Sequence, residues 1–497
     1  MISIMASSWI TCSSVFLFIN TTPQIHKRDT TQVLEVTSAE QKMAPPHFLL
    51  VTLPAQGHVN PSLRFAHRLI RTTGARVTLA TCHSVFHCSN IQSHDNVYNL
   101  SLLTFSDGFD DGVISNTEDV QNRLLNLERN GDKTLSEFIE ANKNGDSPVA
   151  CVIYTILPSW VPRLARRFHL PSVLLWIQPA LAFNVYYNHS TGNNFGFEFP
   201  NLPTLETRDL PSFLSPSNTS NNIAQEVYLE LMEFLKEEPN VKVLVNTFDS
   251  LEAEALTAVR DIEMVAAGPL LPPDMFTRSE PVKDQSNYTL WLDSKTDSSV
   301  IYVSFGTMVE LSKKQIKELA RALIECKRPF LWNDTEIEKI AGLRHELDEV
   351  GMIVSWCSQV EVLRHRAVGC YLSHCGWSST LESLVLGVPV VAFPMWSDQP
   401  TNAKLLEDLW RTGVRVRENE DGLVERGEIR RCLEAVMEEK SVELRENGEA
   451  WKRLAVEAGR ERGSSDKNME AFVETLFSGA EEVKDKNQCL EKSTLLS

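Results

Sequence analysis

Short runs of apolar and β-branched residues recur along the chain, and amphipathic helical stretches separate most of them. Each run has the length and composition of a buried strand. The predicted strands lie at residues 47–54, 75–82, 149–155, 171–177, 241–248, 299–308, 351–357, 368–373 and 388–395. Alternation of such strands with helices predicts an α/β fold, in which a parallel sheet carries helices on both faces.

The alternation is interrupted at residues 268–288, where proline and polar residues show no periodicity and predict a linker. We therefore expect two doubly wound domains in series, with ligands in the cleft beyond the carboxyl ends of their strands. The predicted division is a disordered extension at 1–46, domains at 47–267 and 289–464, the linker at 268–288, a helix at 465–478 that packs back towards the first domain, and a disordered tail at 479–497.

The chain is acidic, and this excludes several classes of partner. Its 48 Lys and Arg against 66 Asp and Glu give a formal net charge of -18, whereas nucleic acids and anionic membrane surfaces require a basic face. No segment reaches the roughly 18 apolar residues of a membrane span. Ten cysteines without a CxxC pair indicate neither a disulfide framework nor a zinc ribbon. We expect a cytoplasmic monomer without bound metal.

The first 46 residues do not share the alternating pattern. An apolar patch at 15–19 has no Lys or Arg before it and is flanked by Ser and Thr, which argues against a signal peptide. A flexible extension, or a start codon upstream of the true one, explains this segment better than a signal peptide does. The folded protein is then expected to begin near Met43.

Residues 373–383, SHCGWSSTLES, carry the densest candidate chemistry. A zinc site is not expected, because His374 and Cys375 are adjacent and therefore point to opposite faces, and no second ligand pair lies near in sequence. A serine nucleophile would require a G-x-S-x-G elbow, which is absent.

Two interpretations of this stretch remain. Ser379 and Glu382, three residues apart, fit a helix capping box. Alternatively, Gly376 allows close approach of backbone to a phosphate, which the hydroxyls of Ser378 and Ser379 and the helix N-terminus then hold. Spacing alone does not name the ligand, because neither a GxGxxG fingerprint nor a Walker loop is present.

A longer window is more specific. Residues 356–399 open with W-C-S-Q, contain H-C-G-W and close with W-S-D-Q, and this segment closely resembles the signature of plant family 1 UDP-sugar glycosyltransferases. The resemblance extends over about residues 47–478. It implies the GT-B architecture, with the acceptor bound in the N-terminal domain and the donor, UDP-glucose, in the C-terminal one.

The resemblance also implies roles for individual residues. Trp356 would stack on uracil, Cys357 would meet the edge of the base through its backbone, and Glu382 would accept hydrogen bonds from the ribose hydroxyls. The rest of the donor site would comprise Ser304, His374, Ser378 and Ser379 at the diphosphate, Trp377, Asp398 and Gln399 at the sugar, and Gln359 and Gly376. A closing Gln399 favours glucose over galactose.

Two features depart from the family pattern. Ser378 stands where an asparagine is usual, which replaces an amide donor by a hydroxyl and predicts weaker donor binding. The chain also has only two residues between PFLW (329–332) and TEIEKIAG (335–342), where relatives have a longer variable loop.

The reacting group lies in the N-terminal half. His58, in LPAQGHVNP (53–61), is presented by a turn just before a helix that Asn60 and Pro61 would start. A histidine there can be a structural hydrogen-bonder, but the resemblance implies the general base that deprotonates the acceptor for inverting attack. In many relatives the strand that here ends in Thr155 ends in an aspartate that orients this histidine.

Thr155 cannot carry a negative charge, so the dyad is incomplete. A carboxylic acid acceptor is already ionised near neutral pH and needs no base, whereas a phenol or alcohol does. Within the family the chain is most similar to indole-3-acetate β-glucosyltransferases, and we expect transfer of glucose to an aromatic or indolic carboxylate.

The alternatives are a flavonoid or phenol O-glucosyltransferase and a UDP-sugar-binding protein with little turnover. The acceptor pocket is expected to involve segments 105–112 and 193–200 and the helix near Tyr186.

Overall fold

The computed structural model describes most of the chain between residues 45 and 477. The described ranges are 45–85, 99–110, 117–156, 158–192, 199–214, 223–238, 241–276, 286–307, 309, 311–333 and 342–477.

The first sheet has seven parallel strands in the order β3-β2-β1-β4-β5-β6-β7. Every residue of its central strand β1 is buried, as expected for a strand with helices on both faces. The strands are β1 (His47–Val51), β2 (Arg76–Cys82), β3 (Leu100–Phe105), β4 (Val149–Thr155), β5 (Ser172–Trp176), β6 (Lys242–Val245) and β7 (Glu263–Ala266).

The second sheet has six parallel strands in the order β10-β9-β8-β11-β12-β13. The reversal of strand order between β8 and β11 is a topological switch point, where a ligand crevice is expected. The strands are β8 (Val300–Ser304), β9 (Phe330–Asn333), β10 (Met352–Val354), β11 (Val368–Ser373), β12 (Val390–Ala392) and β13 (Gly413–Arg415).

Helices connect the strands. They are α1 (Gln56–Thr73), α2 (Thr117–Asn142), α3 (Val161–Arg167), α4 (Ala180–Ser190), α5 (Ile223–Glu237), α6 (Ala253–Thr257), α7 (Asn287–Asp293), α8 (Lys313–Cys326), α9 (Arg344–Val350), α10 (Gln359–Arg364), α11 (Trp377–Leu386), α12 (Gln399–Lys404), α13 (Arg426–Glu434), α14 (Ser441–Gly459) and α15 (464–477). Short 3-10 turns occur at Thr207–Asp209, Ser212–Leu214 and Pro273–Met275, and π-helical turns follow α12 at Leu405–Leu409 and α13 at Ala435–Glu439.

Every strand predicted from the sequence contains a strand of the structure, so these predictions are confirmed. The strands β3, β7, β9 and β13 were not predicted. Three of them, β3, β7 and β13, lie at sheet edges, and β3 is half-exposed along most of its length, so its sequence lacks the continuous apolar run of a central strand.

The starts of two helices differ from their predictions. Ser312 caps α8, because its hydroxyl accepts from the backbone N–H of Gln315 at 3.1 Å. Helix α1 begins at Gln56, so Pro61 lies inside it. Helix α11 has Gly376 as its N-cap and no side-chain cap, so the predicted capping box at Ser379 is wrong.

The two domains share a continuous apolar core. Side chains of α11, including Trp377 and Leu381, belong to the same buried cluster as the first sheet. Asp466 of α15 forms a bidentate ion pair with Arg71 of α1, at 2.7 and 2.8 Å. The predicted linker falls partly outside the described residues, and the predicted domain limits stay predictions.

Candidate active site

A large cavity lies between the two sheets, at the carboxyl ends of their strands. Its volume is about 1110 Å³. The structure brings every predicted site residue to its lining: His58, Ser304, Trp356, Cys357, Gln359, His374, Gly376, Trp377, Ser378, Ser379, Glu382, Asp398 and Gln399. Parallel strands of two facing sheets end at this cleft, which explains why residues far apart in sequence meet there.

One end of the cavity offers a flat ring and a carboxylate. Trp356 is 53% exposed, so the face of its indole is available for stacking. Cys357 is buried beside it, with its Sγ 3.6 Å from the hydroxyl of Tyr302. Because this thiol is enclosed, Cys357 can present only its backbone to a ligand.

Gln359 links this end of the cavity to the helix that carries Glu382. The hydroxyl of Tyr371 donates to Gln359 Oε1 at 2.9 Å. The amide nitrogen of Gln359 therefore faces the other way, and it donates to Ser379 Oγ at 2.8 Å and to Glu382 Oε2 at 2.6 Å. Glu382 thus has Oε2 occupied, and Oε1, which accepts no hydrogen bond from the described residues, can accept from a ligand such as a ribose diol.

Burial raises the pKa of Glu382 to about 7, while the hydrogen bond from Gln359 and the charge of Arg64 act in the opposite direction. Arg64 lies on α1 of the first domain and lines the same cavity. Its guanidinium forms no ion pair or hydrogen bond with the described residues, and burial lowers its pKa. The sequence motif did not indicate Arg64, because only the fold brings it opposite α11, the helix that carries Glu382.

The middle of the cavity has the features of a phosphate site. Gly376 is in extended conformation before α11, and the first residues of that ten-residue helix line the cavity, where the N–H groups of a helix N-terminus favour an anion. A Cβ on Gly376 would come within 2.6 Å of His374 Nε2, and one on Gly306 within 3.0 Å of the same ring. The two glycines therefore allow His374 to occupy its place.

Burial lowers the pKa of His374 to about 4, so the ring is neutral at pH 7 and can serve as a hydrogen-bond donor rather than a cation. Ser378 is partly exposed to the cavity, and its hydroxyl has no partner among the described residues. Ser304 ends strand β8 beside them. A helix N-terminus with neutral donors matches a diphosphate.

Trp377 contributes to the site differently from its neighbours. Its indole is buried, and Nε1 donates to the backbone oxygen of Asn246 in the first domain at 2.7 Å. The side chain is therefore committed to the contact between domains. Only the backbone of Trp377, at the first position of α11, is available to a sugar.

Asp398 and Gln399 occupy the end of the cavity proposed for the sugar. Burial raises the pKa of Asp398 to about 6, and its Oδ2 accepts from Asn402 Nδ2 at 2.7 Å. Gln399 Oε1 accepts from two backbone N–H groups, those of Met395 at 2.9 Å and Trp396 at 3.0 Å. This fixes the amide of Gln399, and its NH2 group, which has no hydrogen-bond partner among the described residues, can donate to a sugar hydroxyl.

His58 is the third residue of α1, rather than a residue of the preceding turn as predicted. It is half-buried at the cavity wall, and its low-polarity surroundings lower the pKa to about 4. Its Nδ1 has no hydrogen-bond partner among the described residues. Thr155 does not supply one, because its hydroxyl donates to Thr52 Oγ1 at 3.3 Å.

The first domain forms an apolar chamber next to His58. Its lining includes Leu79, Leu102, Leu124, Leu127, Ile156, Ile177, Phe213, Val227 and Tyr228. Tyr186 is fully buried behind this wall and stacks on Tyr228 at 4.3 Å, so the prediction that its helix lines the pocket is wrong. Residues 193–198 and 334–341, where part of the acceptor pocket and the shortened loop were predicted, lie outside the described residues.

Two parallel α/β domains, with a cleft between their strand ends that is lined by an exposed indole, carboxylates and a helix N-terminus, define a nucleotide-sugar glycosyltransferase of the GT-B class. The chain belongs to plant family 1 of the UDP-glycosyltransferases. Residues 274–447 match the family described as UDP-glucoronosyl and UDP-glucosyl transferase. UDP-glycosyltransferase 75B2 of Arabidopsis thaliana is 76% identical over 456 residues, which cover 88% of this chain and 100% of the relative.

More distant relatives extend the comparison. The chloroplastic crocetin glucosyltransferase of Gardenia jasminoides is 46% identical, over 87% of this chain and 98% of the relative. The crystal structure of Os79 from O. sativa in complex with UDP has a TM-score of 0.75 and 30% identity, and it covers 86% of this chain and 100% of its own. Membership of this family favours an enzyme over the binding-only alternative.

Among the described residues there is neither a candidate metal site nor a candidate membrane span. No group of three or more His, Cys, Asp or Glu there could hold a metal ion. No helix in the same part of the chain is long and apolar enough to cross a membrane. The cytoplasmic location and the monomeric state stay predictions.

Proposed function

We propose that the protein transfers glucose from UDP-glucose to the carboxylate of a small aromatic or indolic acid, such as indole-3-acetate. The products are a 1-O-β-glucose ester and UDP. The observation that carries the choice of acceptor is the environment of His58. Thr155 bonds to Thr52 in the position where many relatives have an aspartate, and His58 Nδ1 is left without a partner among the described residues.

This environment suits an acceptor that needs no deprotonation. An imidazole with a pKa of about 4 is a weak base towards a phenol or alcohol, whose pKa is about 10 or higher. A carboxylic acid with a pKa of about 4 is ionised at neutral pH and has to be positioned only. Neutral His58 can position it by donating a hydrogen bond to one carboxylate oxygen.

The chemical step is then an inverting displacement. A carboxylate oxygen attacks the anomeric carbon of glucose on the face opposite the diphosphate and forms the new C–O bond. The bond between the anomeric carbon and the phosphate oxygen breaks, and its electron pair leaves with UDP. The N–H groups at the start of α11 and the hydroxyl of Ser378 face the leaving diphosphate and stabilise its increasing charge.

The acceptor chamber supports an aromatic body. Its wall beside His58 is built from aliphatic and aromatic side chains, among them Ile177, Phe213 and Tyr228. A planar apolar ring is favoured there because it removes apolar surface from water, with the carboxylate left near His58.

A phenolic acceptor is the second candidate. Phloretin 4'-O-glucosyltransferase of Malus domestica is 43% identical over 87% of this chain. His58 also faces the cavity, where it can reach an acceptor hydroxyl. The pKa of His58 nevertheless favours the acid.

Two acceptors with the same indole ring, one an acid and one an alcohol, distinguish these two candidate functions. The full-length protein is given UDP-glucose with indole-3-acetate or with indole-3-ethanol, which carries an alcohol in place of the carboxylate. UDP release is expected mainly with the acid, and the product should hydrolyse in mild alkali as an ester does. Faster turnover of the alcohol, or an alkali-stable product, would contradict the proposal.

A variant of His58 gives a second comparison. His58→Ala is expected to abolish transfer to the alcohol, because nothing else at that position accepts its proton. Transfer to the acid should fall less, since only positioning is lost. An equal loss for both acceptors would contradict the proposal that His58 only positions the acid.

A further inference from the structure

A reciprocal pair of hydrogen bonds joins the first domain to the loop that precedes Asp398 and Gln399, the residues proposed to bind the sugar. The backbone N–H of Ser212 donates to the backbone oxygen of Ser397 at 2.8 Å. In return, the backbone N–H of Ser397 donates to Ser212 Oγ at 2.7 Å. Ser212 starts the 3-10 turn Ser212–Leu214, and Ser397 immediately precedes Asp398.

The backbone of Ser397 has an unfavourable conformation. Its φ of +59° lies in the left-handed region, which costs free energy for a residue with a Cβ. Such a conformation persists when surrounding contacts hold it, and it is common at functional sites. Here the reciprocal pair supplies two of those contacts, and both come from the other domain.

Further contacts from the first domain support the same loop. Gln178 Nε2 donates to Ser397 Oγ at 3.3 Å. The ring of Phe213 meets Trp396 edge to face, with 5.8 Å between centroids. On the far side of the loop, Thr401 donates its hydroxyl to the backbone oxygen of Asp209 at 2.7 Å.

The position of this loop decides where its polar side chains point. Asp398 follows Ser397 directly and is the N-cap residue of α12, whose first residue is Gln399. A change of the backbone at Ser397 therefore turns both side chains relative to the cavity. The helix N-terminus at Gly376, which is proposed to hold the diphosphate, lies on a different segment of the chain and makes no direct hydrogen bond to Ser397 among the described residues.

We propose that Ser212, in the acceptor domain, is a positioning residue for the donor sugar: it holds the left-handed turn at Ser397 and so aligns Asp398 and Gln399 with the glucose. This inference rests on the proposed binding of UDP-glucose by those two residues. It does not depend on the identity of the acceptor.

The test compares binding of UDP-glucose with binding of UDP, which has no sugar. Ser212→Ala removes the oxygen that accepts from Ser397 N–H and keeps the backbone bond in the other direction. By calorimetry, the Kd for UDP-glucose should rise about fivefold, whereas the Kd for UDP should stay within about 1.5-fold of the wild-type value. Unchanged UDP binding also shows that the variant is folded.

Ser190→Ala is the matched control, because its hydroxyl donates to a backbone oxygen of its own helix, that of Tyr187 at 2.7 Å. It should leave both constants unchanged. If Ser212→Ala does not fold, Ser212→Cys replaces it, since the thiol keeps the size and is a weaker acceptor. The same selective loss is then expected, although smaller.

The inference is overturned if the Ser212 variant binds both ligands like the wild type, or loses affinity equally for both. If the wild-type protein binds UDP-glucose no more tightly than UDP, the proposed contacts of Asp398 and Gln399 with the sugar are overturned together with this inference. These two failures are distinguishable, because the second is seen before any variant is made.

Discussion

Thr155 donates its hydroxyl to Thr52 Oγ1 at 3.3 Å, and it makes no hydrogen bond to His58. Ser62 donates its hydroxyl to the backbone oxygen of His58 at 2.7 Å, and its Oγ lies 3.1 Å from Thr52 Oγ1. The polar groups beneath His58 are therefore hydroxyls that bond to one another and to backbone. None of them can stabilise an imidazolium as a carboxylate does.

Thr155→Asp should restore a base. A carboxylate at the end of β4 is expected to accept from His58 Nδ1–H and raise the pKa of the imidazole, because the charged form gains a partner. Transfer to indole-3-ethanol should rise about tenfold or more, and transfer to indole-3-acetate should rise little. The ratio of the two rates, measured by UDP release, is the readout.

Thr155→Val controls for the loss of the hydroxyl and should leave that ratio near its wild-type value. If Thr155→Asp raises the pKa of His58 in an NMR titration and the ratio does not move, the base is not what limits alcohol transfer.

Binding of UDP-glucose should weaken as the pH falls from 8 to 6. Glu382 has a pKa of about 7, and only its ionised form accepts a hydrogen bond at every oxygen that faces the ribose. About nine tenths of such a carboxyl is ionised at pH 8 and about one tenth at pH 6. We expect a Kd about fivefold higher at pH 6, measured by calorimetry.

Other groups in the cavity do not mimic this change. His374, with a pKa of about 4, stays neutral over the same range, and Arg64 stays charged. Asp398, with a pKa of about 6, adds a smaller change in the same direction. Glu382→Gln should bind UDP-glucose more weakly at pH 8 and lose most of the pH dependence. If this variant kept the full pH dependence, a group other than Glu382 would be its cause.

Ser378→Asn should strengthen donor binding. The serine hydroxyl faces the cavity beside the N-terminus of α11, and an amide reaches further and adds an N–H donor to the diphosphate. The KM for UDP-glucose is expected to fall about two- to fivefold, in line with one additional hydrogen bond of about 0.5–1 kcal/mol. Ser378→Ala should raise it, and an unchanged KM in both variants would exclude a contact between this side chain and the donor.

Tyr371→Phe should weaken binding of the ribose. Without its hydroxyl, Gln359 Oε1 keeps only the longer contact to Tyr302 at 3.4 Å, and the amide is no longer held towards Glu382. A loss of about 1 kcal/mol corresponds to a Kd for UDP about fivefold higher. Tyr302→Phe is the matched control and should have a smaller effect.

The ligand can be varied as well as the protein. The loss caused by Tyr371→Phe should disappear when UDP is replaced by 2',3'-dideoxy-UDP, which has no ribose hydroxyls for Glu382 to bind. A loss of the same size with both ligands would mean that Tyr371 acts on the fold and not on the ribose.

Local patterns in the sequence determined much of this protein. Continuous apolar runs mark the central strands because those strands are buried on both faces, and β1 and β11 lie where such runs are found. The motif at residues 356–399 also indicates the donor site, because a base, a ribose and a diphosphate are bound largely by consecutive turns at strand ends.

Only the tertiary structure decided how these residues are used. Trp377 lies within the motif, yet its indole is turned away to Asn246, 131 positions earlier in the chain. Ser212 lies outside the motif and bonds to Ser397, 185 positions later. The physical reason is that hydrogen bonds and packing depend on distance in space. A sequence pattern describes the faces of single strands and helices, whereas the partner of each buried polar group is fixed when the two domains meet.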